Sequence, residues 1–146
     1  MRLRRLALED MNTAARVHRV SFDHALPWLA GLHTPKEDAW FYRERMFKQC
    51  QLWGAFDDAA LTGLIAFRED WIDQLYVLPQ AQRRGIGSQL LQRAQDAFTQ
   101  LHLWTFQRNQ PARRFYESRG FALVRQTDGA GNEEREPDAL YLWIRA

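Results

Sequence analysis

The chain has 146 residues, of which 46% are apolar and 26% charged, the balance of a globular protein that can bury a substantial core. This length predicts one domain over residues 1–146, and no apolar run approaches the roughly 18 residues that a membrane span requires. The 20 basic and 18 acidic side chains are interleaved, which argues against nucleic acid as a partner. The single Cys50 has no partner for a disulfide, and the N-terminus lacks a secretory pattern, so we expect a cytoplasmic protein.

The first half of the chain predicts one strand, two helices and a hairpin. Residues 2–8 have the pattern of a strand, and Asp10 is a suitable N-cap for a helix that runs toward residue 22. The segment Thr34-Pro35-Lys36-Glu37 forms a capping box with a proline in the first turn, so a second helix should extend to about residue 49. Two apolar segments, 52–56 and 61–67, flank a short polar turn and predict the hairpin.

The second half alternates strands with helices. Residues 71–78 predict a strand that Pro79 ends, and a helix follows in which apolar residues recur every four positions. After a short strand at 101–106, a helix should begin at Asn109 and end at Gly120. The segments FALVRQT and ALYLWIR then predict two final strands. The order βααβββαβαββ indicates an α/β domain with a mixed, mostly antiparallel sheet flanked by helices.

The segment QRRGIGSQLL, residues 82–91, has the features of a phosphate site. Two glycines spaced by one residue precede a helix, where free N–H groups and the helix dipole favour an anion. A dinucleotide fingerprint would need a third glycine where Leu90 stands, and a Walker loop would need Lys-Ser or Lys-Thr after Gly87. Both of these familiar loops are therefore excluded.

The remaining pattern, Gln82-x-x-Gly85-x-Gly87 between a strand and a helix, resembles the acyl-CoA pyrophosphate loop of the GCN5-related N-acetyltransferase (GNAT) family. A second segment, RNQPARRFYESRGF, matches that family with an asparagine at a helix start, a Phe-Tyr pair one turn later and Gly-Phe after the helix. The resemblance covers the whole order of elements, with specific motifs over residues 71–121. It implies a GNAT fold and an enzyme that transfers an acetyl group from acetyl-CoA to an amine.

The resemblance also implies a binding site for acetyl-CoA. Backbone N–H groups of the loop would bind the pyrophosphate, with the positions Arg83, Arg84, Gly85, Ile86, Gly87 and Ser88. The strand 71–78 would separate from 101–106, so that backbone groups of Leu75 and Val77 face the pantetheine arm and the thioester. Asn109 either caps its helix or contacts the pantetheine.

Two residues are candidates for proton transfer. The resemblance gives Tyr116 the role of protonating the departing thiolate, although a core aromatic residue is the other interpretation. Asp73 lies two residues before Leu75, which places it on the same face of an ideal strand. It is therefore a candidate base for the attacking amine, unless it is paired with an arginine. No activated nucleophile is visible, which favours direct attack in a ternary complex.

The acceptor half of the site is expected around Trp28 and His33, because the family uses this connection to wall the acceptor pocket. No spacing suits a metal ion, so we expect no metal. The acidic segment at 131–138, with Glu133 and Glu134, predicts a rim that attracts a cationic small molecule or peptide amine. A homodimer is a further expectation. The alternative function is a non-catalytic module that binds or senses acyl-CoA.

Overall fold

The structure of the protein, a computed structural model, describes all residues from 1 to 146 and contains a single seven-stranded sheet. Its strand order is β1-β2-β3-β4-β5-β7-β6, and every neighbouring pair is antiparallel except β4 and β5. The predicted mixed, mostly antiparallel sheet is confirmed. The strands are β1 (Arg2–Arg5), β2 (Gln51–Asp57), β3 (Ala60–Arg68), β4 (Trp71–Val77), β5 (Gln100–Phe106), β6 (Ala122–Thr127) and β7 (Asp138–Ile144).

Four helices flank the sheet. They are α1 (Met11–Ala25), α2 (35–49), α3 (Ile86–Ala97) and α4 (Gln110–Glu117). Helix α2 is not uniform, because the segment Tyr42–Met46 is π-helical between two α-helical parts, Pro35–Phe41 and Phe47–Gln49. None of the helices combines the length and the hydropathy that crossing a bilayer requires.

Alternation along β3 shows how the core is divided. Ile65 and Phe67 pack with α3 and α4 in one cluster of buried residues, while Leu64 and Ala66 pack with α1 and α2 in the other. The second cluster contains no residue of β5, β6 or β7. Helices α1 and α2 therefore leave their side of β5, β6 and β7 uncovered, and Trp104 on β5 is 40% exposed.

The sequence predicted a capping side chain at the start of α2 and another at the start of α1. The capping box of α2 is confirmed, since the Thr34 hydroxyl accepts from the Glu37 N–H at 3.2 Å and Glu37 accepts from the Thr34 N–H at 2.7 Å. Asp10 is the N-cap residue of α1, as predicted, but its side chain makes no capping hydrogen bond to that helix. Its carboxylate instead binds Arg4 and accepts from the Ala7 N–H at 2.7 Å, and this ties the first strand to the start of α1.

Candidate active site

Strands β4 and β5 diverge in the middle of the sheet, and we call the gap between them the wedge. Their only registered pair is Trp71 with His102, at the start of β4, and the strands separate beyond it. The rest of β4 pairs with β3 on one edge, so its backbone groups on the other edge have no strand partner. A ligand that enters the wedge meets unpaired hydrogen-bonding groups of the backbone. The separation of the two strands is as the resemblance implied.

The loop before α3 presents N–H groups at the mouth of this wedge. Gly85 has φ +79°, a left-handed conformation that disfavours other residues, and it is the N-cap of α3. The first helical N–H with a partner in the chain belongs to Gln89, which donates to the Gly85 carbonyl at 3.1 Å. The N–H groups of Ile86, Gly87 and Ser88 are therefore free for an anion. The Ile86 side chain is buried in the core, so this residue offers only its backbone.

Gly87 packs closely against α4. A Cβ atom at this position would lie 3.2 Å from the Phe115 ring, so the ring would have to shift to admit a side chain. The Arg119 guanidinium lies over the Phe115 ring, 3.9 Å from its centroid, and donates to the Ser88 hydroxyl at 2.9 Å. Arg119 is thus a cation at the loop that the sequence analysis missed. Its position directly before the Gly-Phe pair is the signal that would have found it.

The two arginines of the loop itself extend into solvent. Arg83 is exposed and has φ +67°, while Arg84 lies toward Asp57, with 3.9 Å between the guanidinium and the carboxylate. Val77 is held at the entrance of the wedge, because the Gln82 side-chain amide donates to its carbonyl at 3.0 Å. Leu75 and Val77 are partly buried against the α3 and α4 cluster. The motif glutamine therefore has a structural role, whereas Arg84 is turned away.

Tyr116 lies on the α4 side of the wedge and is 8% exposed. Its ring packs edge-on against Phe115 and Phe121. Burial, with the nearby hydroxyl of Tyr76, raises the pKa of Tyr116 and keeps its proton in place. The only buried side-chain polar atom without a partner is Ser21 Oγ, so the Tyr116 hydroxyl, which makes no hydrogen bond in the chain, reaches open space.

Asn109 is a cap in this structure. Its side-chain oxygen accepts from the Ala112 N–H at 3.3 Å, at the start of α4. The amide nitrogen of the same side chain makes no bond in the chain. The capping function therefore does not occupy the donor that a pantetheine contact would use.

The structure contradicts the argument that placed Asp73 beside Leu75. The register between β3 and β4 shifts at this point, since Ala66 pairs with Gln74 but Phe67 pairs with Ile72. Asp73 is the extra residue of a β-bulge, which breaks the two-residue alternation. Its carboxylate accepts from Arg68 at 2.8 Å and from the Cys50 thiol at 3.3 Å, on the α1 and α2 side. This is the arginine-paired alternative, and it removes the basis for a catalytic base at Asp73.

A histidine of α1, His18, lies near the wedge. Nδ1 of His18, on α1, is 2.7 Å from the Tyr42 hydroxyl, and the imidazole ring is 4.4 Å from the Tyr76 ring on β4. Burial lowers the pKa of His18 to about 3, with a further contribution from Arg19, so the imidazole is neutral at physiological pH. Tyr42 begins the π-helical segment of α2, a distortion that is frequent at functional sites.

His18 was not among the residues predicted from the sequence, because the acceptor site was expected only around the connection between α1 and α2, where His33 lies. The buried face of α1 includes Met11, Ala15 and Phe22, a spacing of about four residues. His18 continues this series between Ala15 and Phe22. A histidine on a buried helix face near a predicted acceptor region is the signal that would have identified it.

A cavity of about 490 Å³ opens on the uncovered face of β5 and β6. Trp104 and Phe106 are its apolar wall, Arg125 lies 5.4 Å over the Trp104 ring, and Glu134 and Asp138 contribute carboxylates to the lining. The Phe106 ring contacts Phe22, which stacks on His18, so aromatic rings connect the wall of the cavity with the imidazole. We call this cavity the acceptor pocket.

The segment between β6 and β7, residues 128–137, is joined to the connection between α1 and α2. Glu136 is 4% exposed and accepts from Trp28 at 3.0 Å and from Arg108 at 2.8 and 2.9 Å. Arg108 also stacks 4.0 Å over the Trp28 ring. His33 contacts Glu133 across the same junction. Trp28 and His33 therefore contact the segment that contributes Asn132 and Glu134 to the acceptor pocket, although neither of them lines the pocket itself.

This arrangement corrects the prediction of an acidic rim. Glu133 is engaged by His33, Glu136 is buried on Arg108, and Asp138 bonds Thr127 and Asn132. Only Glu134 has no partner in the chain, and its charge acts on the nearby Tyr76. The rim is thus a single free carboxylate. No three His, Cys, Asp or Glu side chains are grouped as metal ligands.

Comparison with known proteins agrees with this architecture. The sequence model of the acetyltransferase (GNAT) family matches residues 11–121. The peptidyl-lysine N-acetyltransferase YiaC of Escherichia coli is 36% identical over 103 residues, which are 70% of this chain and 66% of that protein, slightly under two thirds of its length.

Solved structures show the same fold. The apo form of YjaB from Escherichia coli has a TM-score of 0.80 at 19% identity, with 99% of this chain and 98% of that chain covered. The acetyltransferase yncA from Salmonella typhimurium, described as putative and solved with its cofactor acetyl-CoA, has a TM-score of 0.75 at 16% identity, over 100% and 94% of the chains. The family match spans most of the chain and includes helix α4 as well as the loop that precedes α3. The chain therefore belongs to the GNAT family of acetyltransferases.

Proposed function

We propose that this protein transfers an acetyl group from acetyl-CoA to the side-chain amine of a lysine in a peptide or protein. The observation that carries the proposal is the acceptor pocket, which combines an aromatic wall with one free carboxylate and is connected through Phe106 and Phe22 to a neutral imidazole. Arg125 already lies over Trp104, so this wall accommodates a long cationic side chain. Phe106 suits the aliphatic stem of a lysine, and Glu134 adds a charge partner. The relative YiaC, described as a peptidyl-lysine N-acetyltransferase, supports the same acceptor.

The residues at the wedge fit acetyl-CoA. A Cβ atom at Gly87 would meet Phe115, and Gly85 needs its left-handed backbone, so the loop keeps its N–H groups clear for a pyrophosphate. We assign these N–H groups and Arg119 to the phosphates, the free edge of β4 to the pantetheine amides, and the Asn109 amide nitrogen to the same arm. When bound there, acetyl-CoA supplies an activated acyl group as a thioester.

Two side chains then act on the reacting groups. An ammonium group has no lone pair with which to attack, so the amine gives up its proton to water. Neutral His18, whose pKa of about 3 makes it a weak base, accepts a hydrogen bond from the amine and orients it. Tyr116 retains its proton and donates it to the sulfur that leaves. A backbone N–H on the free edge of β4 stabilises negative charge on the acyl oxygen, an interaction worth about 2.7–4 kcal/mol in other enzymes.

The cysteine supports direct attack rather than an acetylated enzyme. Burial raises the pKa of the Cys50 thiol to about 12, and the neighbouring Asp73 carboxylate has the same effect. The thiolate is the nucleophilic form of cysteine, and it is almost absent at neutral pH under these conditions. Cys50 is therefore a packing residue.

The test is acetyl-CoA turnover, measured as release of free thiol, with two peptides of equal length and one small amine as acceptors. The first is a peptide with an internal lysine and a blocked N-terminus, the second has only a free N-terminus, and the third is a small polyamine. We expect turnover with the lysine peptide and acetylation of its side chain by mass spectrometry. No thiol release with any amine would instead support the non-catalytic sensor.

Glu134 and Glu133 provide a matched pair of variants for the acceptor. Glu134→Gln removes the free carboxylate and should raise the KM for the lysine peptide several-fold at low salt, where screening is weak. Glu133→Gln alters a carboxylate that already contacts His33 and should have a smaller effect. Neither should change the KM for acetyl-CoA. Equal responses of the two variants would remove Glu134 from acceptor binding.

A further inference from the structure

A second concave surface lies on the outer side of α1, away from the acceptor pocket. It is a groove of about 580 Å³ between α1 and α2. Small apolar side chains, Ala15 and Ala39, contribute to its lining, together with Val20, which is 50% exposed. We call it the basic groove because of the charges described next.

The basic groove carries cations that have no carboxylate partner. Arg16 donates only to the Thr13 hydroxyl, at 3.3 Å, and Arg43 only to the Asn12 side-chain oxygen, at 2.8 Å. Lys36 makes no bond with another side chain. What distinguishes the groove is that three such cations line one concave surface, whereas Lys48 of α2 is paired with Glu44. The local excess of positive charge is therefore not cancelled within the chain.

The one carboxylate in the groove is already used. Asp38 is 8% exposed and accepts two hydrogen bonds from Arg19, at 2.9 and 3.0 Å. Arg19 also binds Asp23 at 3.2 Å. Arg19 with two carboxylates has a net charge of −1, so with Arg16, Lys36 and Arg43 the groove region keeps a net charge of +2. Guanidinium groups match carboxylates in shape as well as in charge.

The groove and the acceptor pocket lie on two sides of one helix. Asn12, Arg16 and Arg19 are spaced by four and three residues on the groove side of α1, whereas Phe22 of the same helix contacts Phe106, which lines the acceptor pocket. A helix with its side chains is about 10–12 Å wide. An extended peptide covers that distance in about three or four residues.

We propose that the basic groove binds an acidic segment of the protein that carries the acceptor lysine, three to five residues from that lysine. This inference rests on the proposed function for the identity of the acceptor, but binding in the groove does not need turnover. The lysine enters the acceptor pocket while glutamate or aspartate side chains meet Arg16, Lys36 and Arg43. Selection of substrates then depends on two surfaces of opposite charge.

The experiment measures binding of fluorescent peptides by anisotropy, without acetyl-CoA. One peptide has a central lysine with glutamates three to five residues away, and the other has glutamines at those positions. Wild-type protein should bind the glutamate peptide about three- to tenfold more tightly at low salt, the range expected for a few exposed ion pairs. The difference should disappear at high salt.

The charge-reversal variant Arg16→Glu/Arg43→Glu should lose this preference. Arg2→Glu/Arg114→Glu changes the net charge equally at exposed sites outside the groove and should keep it. If the first variant does not fold, Arg16→Gln/Arg43→Gln replaces it. Equal affinity of the two peptides for wild-type protein, or equal losses in both variants, would overturn the proposal.

Turnover assays separate the two proposals. If the acidic peptide binds selectively but no lysine is acetylated, the groove stands and the proposed function fails. If both peptides are acetylated with the same KM at low salt, the proposed function stands and the groove is refuted.

Discussion

Tyr116 combines a buried ring with a hydroxyl that reaches open space. Because burial raises its pKa, the group remains a proton donor throughout the neutral range. We expect Tyr116→Phe to lower kcat by about 10²-fold, the lower part of the range for general acid catalysis, with little change in acetyl-CoA affinity. Steady-state kinetics and calorimetry give the two quantities. An unchanged kcat would make Tyr116 a core residue only.

His18 is the second residue whose chemistry depends on its surroundings. His18→Asn places an amide where Nδ1 bonds Tyr42 and removes the distal nitrogen, Nε2, so kcat should fall by about three- to tenfold while the fold is kept, the effect of one lost hydrogen bond to the amine. His24→Asn, on an exposed position of the same helix, is the control and should retain activity. Loss of activity in both variants would point to damage to α1 rather than to loss of the group that orients the amine.

The same histidine predicts a dependence of stability on pH. The pKa of His18 falls from the ordinary 6.5 to about 3 on folding, so between these values the unfolded chain binds a proton that the folded chain does not. The free energy of unfolding therefore decreases as pH falls below about 6.5. His18→Asn lacks this contribution, and its stability should decline less between pH 7.5 and pH 5. Urea unfolding at the two pH values measures the difference, and parallel declines would contradict it.

At the scale of elements, the start of α3 concentrates the backbone requirements of the site. An alanine at Gly85 would have to adopt the left-handed conformation, which costs about 1–2 kcal/mol. We expect Gly85→Ala to lower stability by that amount and to weaken acetyl-CoA binding. Gly131→Ala is a matched control, because Gly131 has open space and no positive φ. Calorimetry that shows unchanged acetyl-CoA affinity for a folded Gly85→Ala would exclude the loop as the phosphate site.

How far the sequence predicts an element depends on the range of the interactions that form it. The capping box at Thr34 and the cap at Asn109 are local, and both were predicted. The bulge at Asp73 and the π-helical turn at Tyr42 each depend on one residue that does not fit the regular repeat. Packing between distant elements decides where such a residue is placed, so alternation alone assigned Asp73 to the wrong side.

At the scale of the whole molecule, Glu136 connects the segment that contributes Asn132 and Glu134 to the acceptor pocket with Trp28, in the connection between α1 and α2. Glu136→Gln retains an acceptor for Trp28 but leaves Arg108 without its charge partner. We expect a lower Tm, by about 2–4 °C for each kcal/mol lost, and a higher KM for the lysine peptide with that for acetyl-CoA unchanged. Glu44→Gln, at an exposed pair on α2, is the control for loss of one charge. An unaltered peptide KM would separate this junction from acceptor binding.

The sequence motifs also predicted the two halves of the site unequally. The acetyl-CoA half lies in two continuous segments, so the loop and α4 were identified together. The acceptor half is assembled from α1, α2, β4, β5 and the segment before β7, and its acids pair with residues far away in the chain. Glu136 and Trp28 are 108 positions apart in the sequence, so no local pattern predicts the contact between them.

The wedge divides the hydrogen-bond network of the protein into two blocks. Strands β1 to β4 form one ladder and β5 to β7 form another, and they meet at Trp71 with His102 and at the His102 N–H, which donates to the Asp70 carbonyl at 2.6 Å. Such blocks open separately in native-state hydrogen exchange. A molecule bound along both edges would couple them, so amides of β5 should exchange more slowly when acetyl-CoA is present. Acetyl-CoA would then take the place of a strand between β4 and β5, and the two blocks would open together only while acetyl-CoA is bound.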